Sequence, residues 1–137
     1  MSSNDMLYGS RTSGGAHGDV FTAPEVVRFM LDEAGYIPES DLRDVSILEP
    51  SCGEGEFVIE IAKRLLISAV NFGFDAETAF RCNVHAYDID SGKVEVCRAK
   101  IRKRGYKAVE SIEAADFLKA TPEKTDIVVG NPPYIRY

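Results

Sequence analysis

Tryptophan is absent, and only three cysteines and two histidines occur in 137 residues. Cys52, Cys82 and Cys97 form no CxxC pair, and His17 and His85 lie far apart. That spacing excludes a disulfide framework and a structural zinc site, and no metal is expected. The cysteines read as small packing residues. Long apolar runs are also missing. Nothing approaches the roughly 20 residues needed to span a bilayer, and no basic-then-apolar leader pattern opens the chain. These two absences predict a cytoplasmic protein with no membrane partner. Positive charge is scarce: 16 Lys and Arg stand against 22 Asp and Glu, a net charge of −6. Strong nucleic-acid binding by these residues alone is therefore not expected, because neutralising phosphates needs clustered cations. The one basic run, RAKIRKR at residues 98–104, fits the solvated face and last turns of a helix.

What remains is an ordinary globular composition, with 45% hydrophobic residues, enough for one domain with its own core. Residues 1–19, rich in Ser and Gly, read as a flexible N-terminal segment, and residues 20–137 as the folded unit. Thr22-Ala-Pro-Glu25 has the T-x-x-E form of a capping box, with Pro24 inside the first turn. Val26, Val27, Met30, Leu31 and Ala34 then fall on one helical face, ended by Gly35. DVSILEP, residues 44–50, reads as a buried strand running into the glycine turn SCGEGEF. Phe57, Ile61, Leu65 and Ala69 share one face of a second helix. Residues 71–81 read as a connection with one helical turn. NVHAYDID (83–90) is a second strand, with Ser91 as the expected N-cap of a helix carrying Val94, Cys97 and Ile101. A third strand is expected around residues 108–112, and DIVVG (126–130) is a fourth. Strand–helix alternation predicts a parallel α/β sheet with right-handed crossovers.

In such sheets ligands bind beyond the carboxyl ends of the strands, and the unusual residues of this chain gather there. Gly53-x-Gly55 permits a tight turn and close backbone approach, and the following helix offers unpaired N–H groups. Val58 stands where a third dinucleotide-motif glycine would be, and no Walker Gly-Lys-Ser/Thr is present, so a tight turn without a ligand shares this signature. Asp88 ends the second strand, where a carboxylate can accept two ribose hydroxyls; Asp90 beside Ser91 better suits a helix-dipole partner. Asp116 can accept from an exocyclic amine and Phe117 can cover a flat ring, although the pair also fits a turn with a packing aromatic.

The fourth strand ends in Asn131-Pro132-Pro133-Tyr134. Both prolines lack an N–H and fix φ, and Asn131 is pushed toward an extended conformation. The side-chain oxygen of Asn131 and the carbonyl of Pro132 are left as fixed acceptors beside the flat face of Tyr134. Such a site suits a planar ring bearing an –NH₂ group. Two hydrogen bonds from the amine would pull its lone pair out of ring conjugation and make it a nucleophile. A strand-terminating Pro-Pro turn is the plainer alternative.

FTAPEVVRFM, ILEPSCGEGEF, AYDID, ADFL and DIVVGNPPY occur in the order found in N6-adenine DNA methyltransferases of the amino γ class, including the methyltransferase parts of Type II restriction–modification enzymes. The resemblance covers about residues 20–136. NPPY alone also occurs in glutamine and RNA methyltransferases; the wording from Pro50 to Phe57 resembles the DNA adenine enzymes more. The resemblance implies an incomplete Rossmann-like class I S-adenosylmethionine-dependent methyltransferase fold, with about four parallel strands and flanking helices. It implies S-adenosylmethionine as cofactor, with Thr22, Glu49, Ser51, Cys52, Gly53 and Gly55 around its methionine end. Asp88 would hold the ribose, Ile89 would lie against the adenine, and Asp116 and Phe117 would bind that ring. Asn131, which would also contact the cofactor, would be catalytic together with Pro132 and Tyr134, gripping the N6 amine of a flipped-out adenine.

Three departures stand out. Ala23 follows Thr22 where the family has proline, and Asp88 replaces a common Glu. Family members also continue past NPPY with three more strands and a DNA-recognition domain. The chain is therefore expected to be a truncated or split piece, inactive alone, meeting DNA through a domain it lacks. Its fourth strand would be an exposed edge prone to pairing or aggregation, and a partner chain could complete the sheet. The rival readings are a non-catalytic cofactor-binding or scaffold subunit and a methyltransferase acting on RNA or protein glutamine.

Overall fold

A computed structural model of the chain describes residues 10–11, 20–119 and 124–131. Most of the segment expected to be flexible lies outside them. Within them, β1 (Ser10–Arg11) pairs antiparallel with β2 (Val20–Phe21), and α1 (Pro24–Glu33) follows. The expected capping box is not formed. Pro24 opens the helix, which holds Ala23 extended, and Ala23 becomes the N-cap through its carbonyl, accepting from Val26 and Val27 N–H at 3.0 and 3.1 Å. Thr22 is left one residue outside the helix. Val27 and Leu31 form the buried stripe of α1.

Next come β3 (Ile47–Glu49), α2 (Glu56–Phe72), α3 (Ala76–Asn83), β4 (Val84–Asp88), α4 (Ser91–Lys103), β5 (Ile112–Ala114), a single 3₁₀ turn (Phe117–Lys119) and β6 (Ile127–Val128). The last four strands make one parallel sheet in the order β5-β4-β3-β6. Register places Ile47 beside Val84 and Ile127, and Ala86 beside Ile112. Phe57, Ile61, Leu65, Val94, Cys97 and Ile101 pack with Ile47, Val84, Ala86 and Ile112 in one core, and the expected face of α2 is the buried one. Each such aliphatic side chain contributes about 1.5–3 kcal/mol on burial. Arg64 is buried within α2, and its charge is matched by Asp32 of α1 at 2.7 Å and Glu60 at 3.0 Å. A buried cation needs such partners, so this cluster fixes α1 against α2.

Three further expectations about the elements differ from the structure. The connection at 71–81 holds a two-turn helix, α3, capped by Asp75, whose carboxylate accepts from Thr78 N–H. Its buried residues are only Ala76, Ala79 and Phe80, too few to announce a helical period; Phe80 packs on Tyr106 at 4.6 Å. Asp90, not Ser91, caps α4, accepting from Gly92 and Lys93 N–H at 2.9 and 3.2 Å. The third strand lies at Ile112–Ala114, because a turn closed by Ile112 N–H to the Val109 carbonyl delays it.

Along β3 and β4, Leu48, His85 and Tyr87 point to the face opposite the core, as strand alternation requires. With Asp44, Ser46 and Thr125 they border a groove of about 460 Å³. β6 is the sheet's edge among the described residues, and Val128 is 60% exposed. No helix among the described residues is long and apolar enough to cross a membrane.

Candidate active site

The strand order decides which motif residues meet. Asp116 follows β5, Asp88 ends β4, Glu49 ends β3, and Gly130-Asn131 follows β6, so the four stand in that sequence along one carboxyl rim. None of the four borders the 460 Å³ groove on the sheet face.

The loop after β3 is pinned to β4 by backbone donors. Cys52 N–H bonds the Tyr87 carbonyl at 2.8 Å, and Gly53 N–H bonds Asp88 Oδ2 at 2.9 Å. Gly55 caps α2 at φ 105°, and a Cβ there would lie 2.8 Å from Cys97 Sγ; only glycine satisfies both backbone and space. Cys52 and Cys97 are buried, and Cys82 is exposed, contrary to a uniform packing role. The hydrogen bond with Cys97, then burial, push the Cys52 thiol well above its ordinary value, so it is a packing group rather than a nucleophile.

Asp88 is half-buried and already oriented. Its Oδ2 accepts from Gly53 and its Oδ1 from Asp90 N–H, both at 2.9 Å. Each carboxylate oxygen has a second acceptor direction, so this anchoring leaves the group able to take hydroxyls. Ile89, next along, is 78% exposed on the rim. Asp116 uses Oδ1 to accept from Leu118 N–H at 3.0 Å and opens the 3₁₀ turn, which sets the Phe117 ring 5.8 Å from Tyr87. Sequence reasoning passed over Tyr87. Strand alternation put it opposite Ala86, but its contact with Phe117 needs the β4–β5 pairing.

Glu49 is 2% exposed and accepts from Ser51 N–H at 3.1 Å. Burial, opposed by that N–H, together with the negative Asp88 and Glu56, pushes its pKa up to about 8. It also touches the end of β6: a Cβ on Gly130 would sit 2.6 Å from Glu49 Oε2. A glycine before Asn131 is thus required by close approach across the sheet. On the other side of that segment, Asn131 Nδ2 donates to the hydroxyl of Thr22 at 3.2 Å, and Thr22 is 8% exposed. Thr22, Glu49 and Asn131 therefore meet in space, while the expected roles of Pro132 and Tyr134 lie outside the described residues.

Residues 28–136 match the family described as RMKL-like, methyltransferase domain. The chain is 36% identical over 134 residues to the Type II methyltransferase M.XhoI of Xanthomonas vasicola, covering 87% of this chain and 24% of that protein. It is 36% identical to the Type II methyltransferase M.PaeR7I of Pseudomonas aeruginosa, over 91% of this chain and 25% of the relative. Identity to M.VspI of Vibrio sp. (strain 343) is 32%, with 85% and 25% covered. The chain spans about a quarter of the length of these curated relatives. The parallel sheet and its flanking helices, with this match, show a Rossmann-like methyltransferase fold, and the chain belongs to this methyltransferase-domain family.

Proposed function

We propose that residues 20–137 are the cofactor-binding part of a Type II DNA methyltransferase that transfers a methyl group from S-adenosylmethionine to N6 of adenine, within a restriction–modification system. The observation that carries this reading is the adjacency of Asp88, Glu49 and Asn131 at the ends of β4, β3 and β6, with the glycine loop bonded to Asp88. The similarity to Type II methyltransferases supports the reaction class. The net charge of −6 agrees with DNA contacts made by other parts of a longer protein.

The donor set fits S-adenosylmethionine. Oriented Asp88 suits ribose hydroxyls, exposed Ile89 and the Phe117 ring suit the faces of adenine, and Asp116 suits its amine. Buried Glu49 and the loop of Ser51, Cys52, Gly53 and Gly55, with Thr22 nearby, suit the methionine end. When bound, the cofactor supplies an electrophilic methyl on a sulfonium. Asn131 Oδ1 and the Pro132 carbonyl would accept the two amine protons, and Tyr134 would stack on the target base. These residues catalyse by positioning and by freeing the amine lone pair.

Methylation of DNA, RNA and protein by the full-length gene product tests the reading. Label on adenine N6 in DNA is expected; label on RNA or glutamine overturns it. Residues 1–137 alone are expected to be inactive on DNA. Asp88→Ala is expected to raise the cofactor Kd at least about tenfold, since it removes charge-assisted acceptors. Calorimetry showing unchanged affinity would reject the ribose role.

A further inference from the structure

We infer that Thr22 is a positioning residue for methyl transfer, acting through the Asn131 side-chain amide. The inference rests on the proposed amine-methylating function. An asparagine amide has a donor end and an acceptor end of nearly equal size, exchanged by a half-turn of the side chain. Only the acceptor end helps an amine nucleophile; the donor end would oppose the amine's own protons.

Two sets of contacts remove the freedom around this choice. The backbone is held first. Val129 N–H bonds the Leu48 carbonyl at 2.9 Å, and Gly130 lies against the buried Glu49 carboxyl with no room for a Cβ. The side chain is held as well: Thr22 Oγ1 takes the Asn131 Nδ2 at 3.2 Å from a position 109 residues away in sequence. With Nδ2 bonded to Thr22, Oδ1 is held at the opposite edge of the planar amide.

Thr22 occupies a buried position for a reason visible in the chain. Pro24 moves the N-cap of α1 to Ala23, so the Thr22 hydroxyl is not spent on the helix. Valine has the same shape without an acceptor, so Thr22→Val removes the bond while preserving volume. It leaves Nδ2 without this partner and lets the amide sample its unproductive orientation.

Two measurements on the full-length gene product test this. With adenine-containing DNA and saturating cofactor, Thr22→Val is expected to lower kcat about tenfold, the equivalent of one hydrogen bond, with DNA KM changed by less than about twofold. Thr22→Ser keeps the hydroxyl and is expected to restore kcat. Wild-type kcat in Thr22→Val, or a loss confined to cofactor Kd, overturns the positioning role. Independently of turnover, the Asn131 Nδ2 protons are expected to exchange with solvent about tenfold faster in Thr22→Val than in wild type, as followed by ¹⁵N NMR. Equal exchange overturns the inference. If Asn131→Ala retains full turnover while the exchange difference persists, the functional reading fails and the structural contact stands.

Discussion

Asn131→Ala is expected to lower kcat for the proposed adenine methylation by about 10³-fold in the full-length gene product, the scale seen when one preorganised hydrogen-bonding group is removed from a reacting centre. That loss corresponds to about 4 kcal/mol of transition-state stabilisation. The reason lies in the nucleophile. The lone pair of an aryl amine is conjugated with its ring, and only acceptors aimed at both amine protons favour the tetrahedral nitrogen that attacks. Asn131 supplies one of these acceptors in the proposed site, and its placement is fixed by Thr22 and by the Glu49–Gly130 contact. Cofactor Kd is expected to change less than about threefold, since Asp88 and the glycine loop remain intact. Single-turnover kinetics with labelled cofactor separates the two quantities. Turnover within about tenfold of wild type would reduce the motif to a strand-ending turn.

Glu49→Gln is expected to alter the pH dependence of stability. Burial, with Asp88 and Glu56 nearby, pushes the Glu49 carboxyl up to about 8 in the folded chain, against an ordinary value of 4.5. Between those values the folded state holds a proton that the unfolded state has released, so stability conferred by this site falls as pH rises through the window. Each unit of separation corresponds to about 1.4 kcal/mol, so wild type is expected to lose about 2 kcal/mol relative to Glu49→Gln between pH 5 and pH 7. Glutamine keeps the acceptor for Ser51 N–H and cannot ionise. Glu56 shifts in the same direction through burial but is present in both proteins, so it largely cancels in the comparison. Urea unfolding at pH 5, 6, 7 and 8 measures the difference. Parallel stability curves for the two proteins would show that Glu49 is ionised throughout, contrary to its burial. The same buried acid has a functional side: a cationic ligand end beside Glu49 would favour its ionised form and couple binding to proton release.

Much of this architecture was legible one element at a time. Phe57, Ile61, Leu65 and Ala69 announced the buried face of α2, and the apolar run at Ile47 and Leu48 announced β3, because side-chain period is a local property. Elements with few buried residues were harder. Three buried positions were too few to announce α3, and β5 moved by a few residues because one backbone turn delayed its pairing. Capping residues were misplaced twice. Thr22 and Ser91 both have suitable side chains, but Pro24 fixed one boundary and the Asp90 carboxylate took the other.

The site divides along the same line. By itself, the sequence determined that Glu49, the glycine loop, Asp88, Asp116 and Asn131 would each lie at or just after the end of a strand, since strand ends and turns are written in neighbouring residues. It also determined the methyltransferase resemblance, which depends on motif order along the chain. Only the tertiary structure decided that β3 lies between β4 and β6, which brings Asp88, Glu49 and Asn131 side by side. Burial within that arrangement, with Asp88 and Glu56 nearby, raises the Glu49 pKa and leaves no space for a side chain at residue 130. And only the fold joins Thr22 to Asn131. Strand pairing, desolvation and contacts across 109 residues depend on the whole packed chain, and no local pattern encodes them.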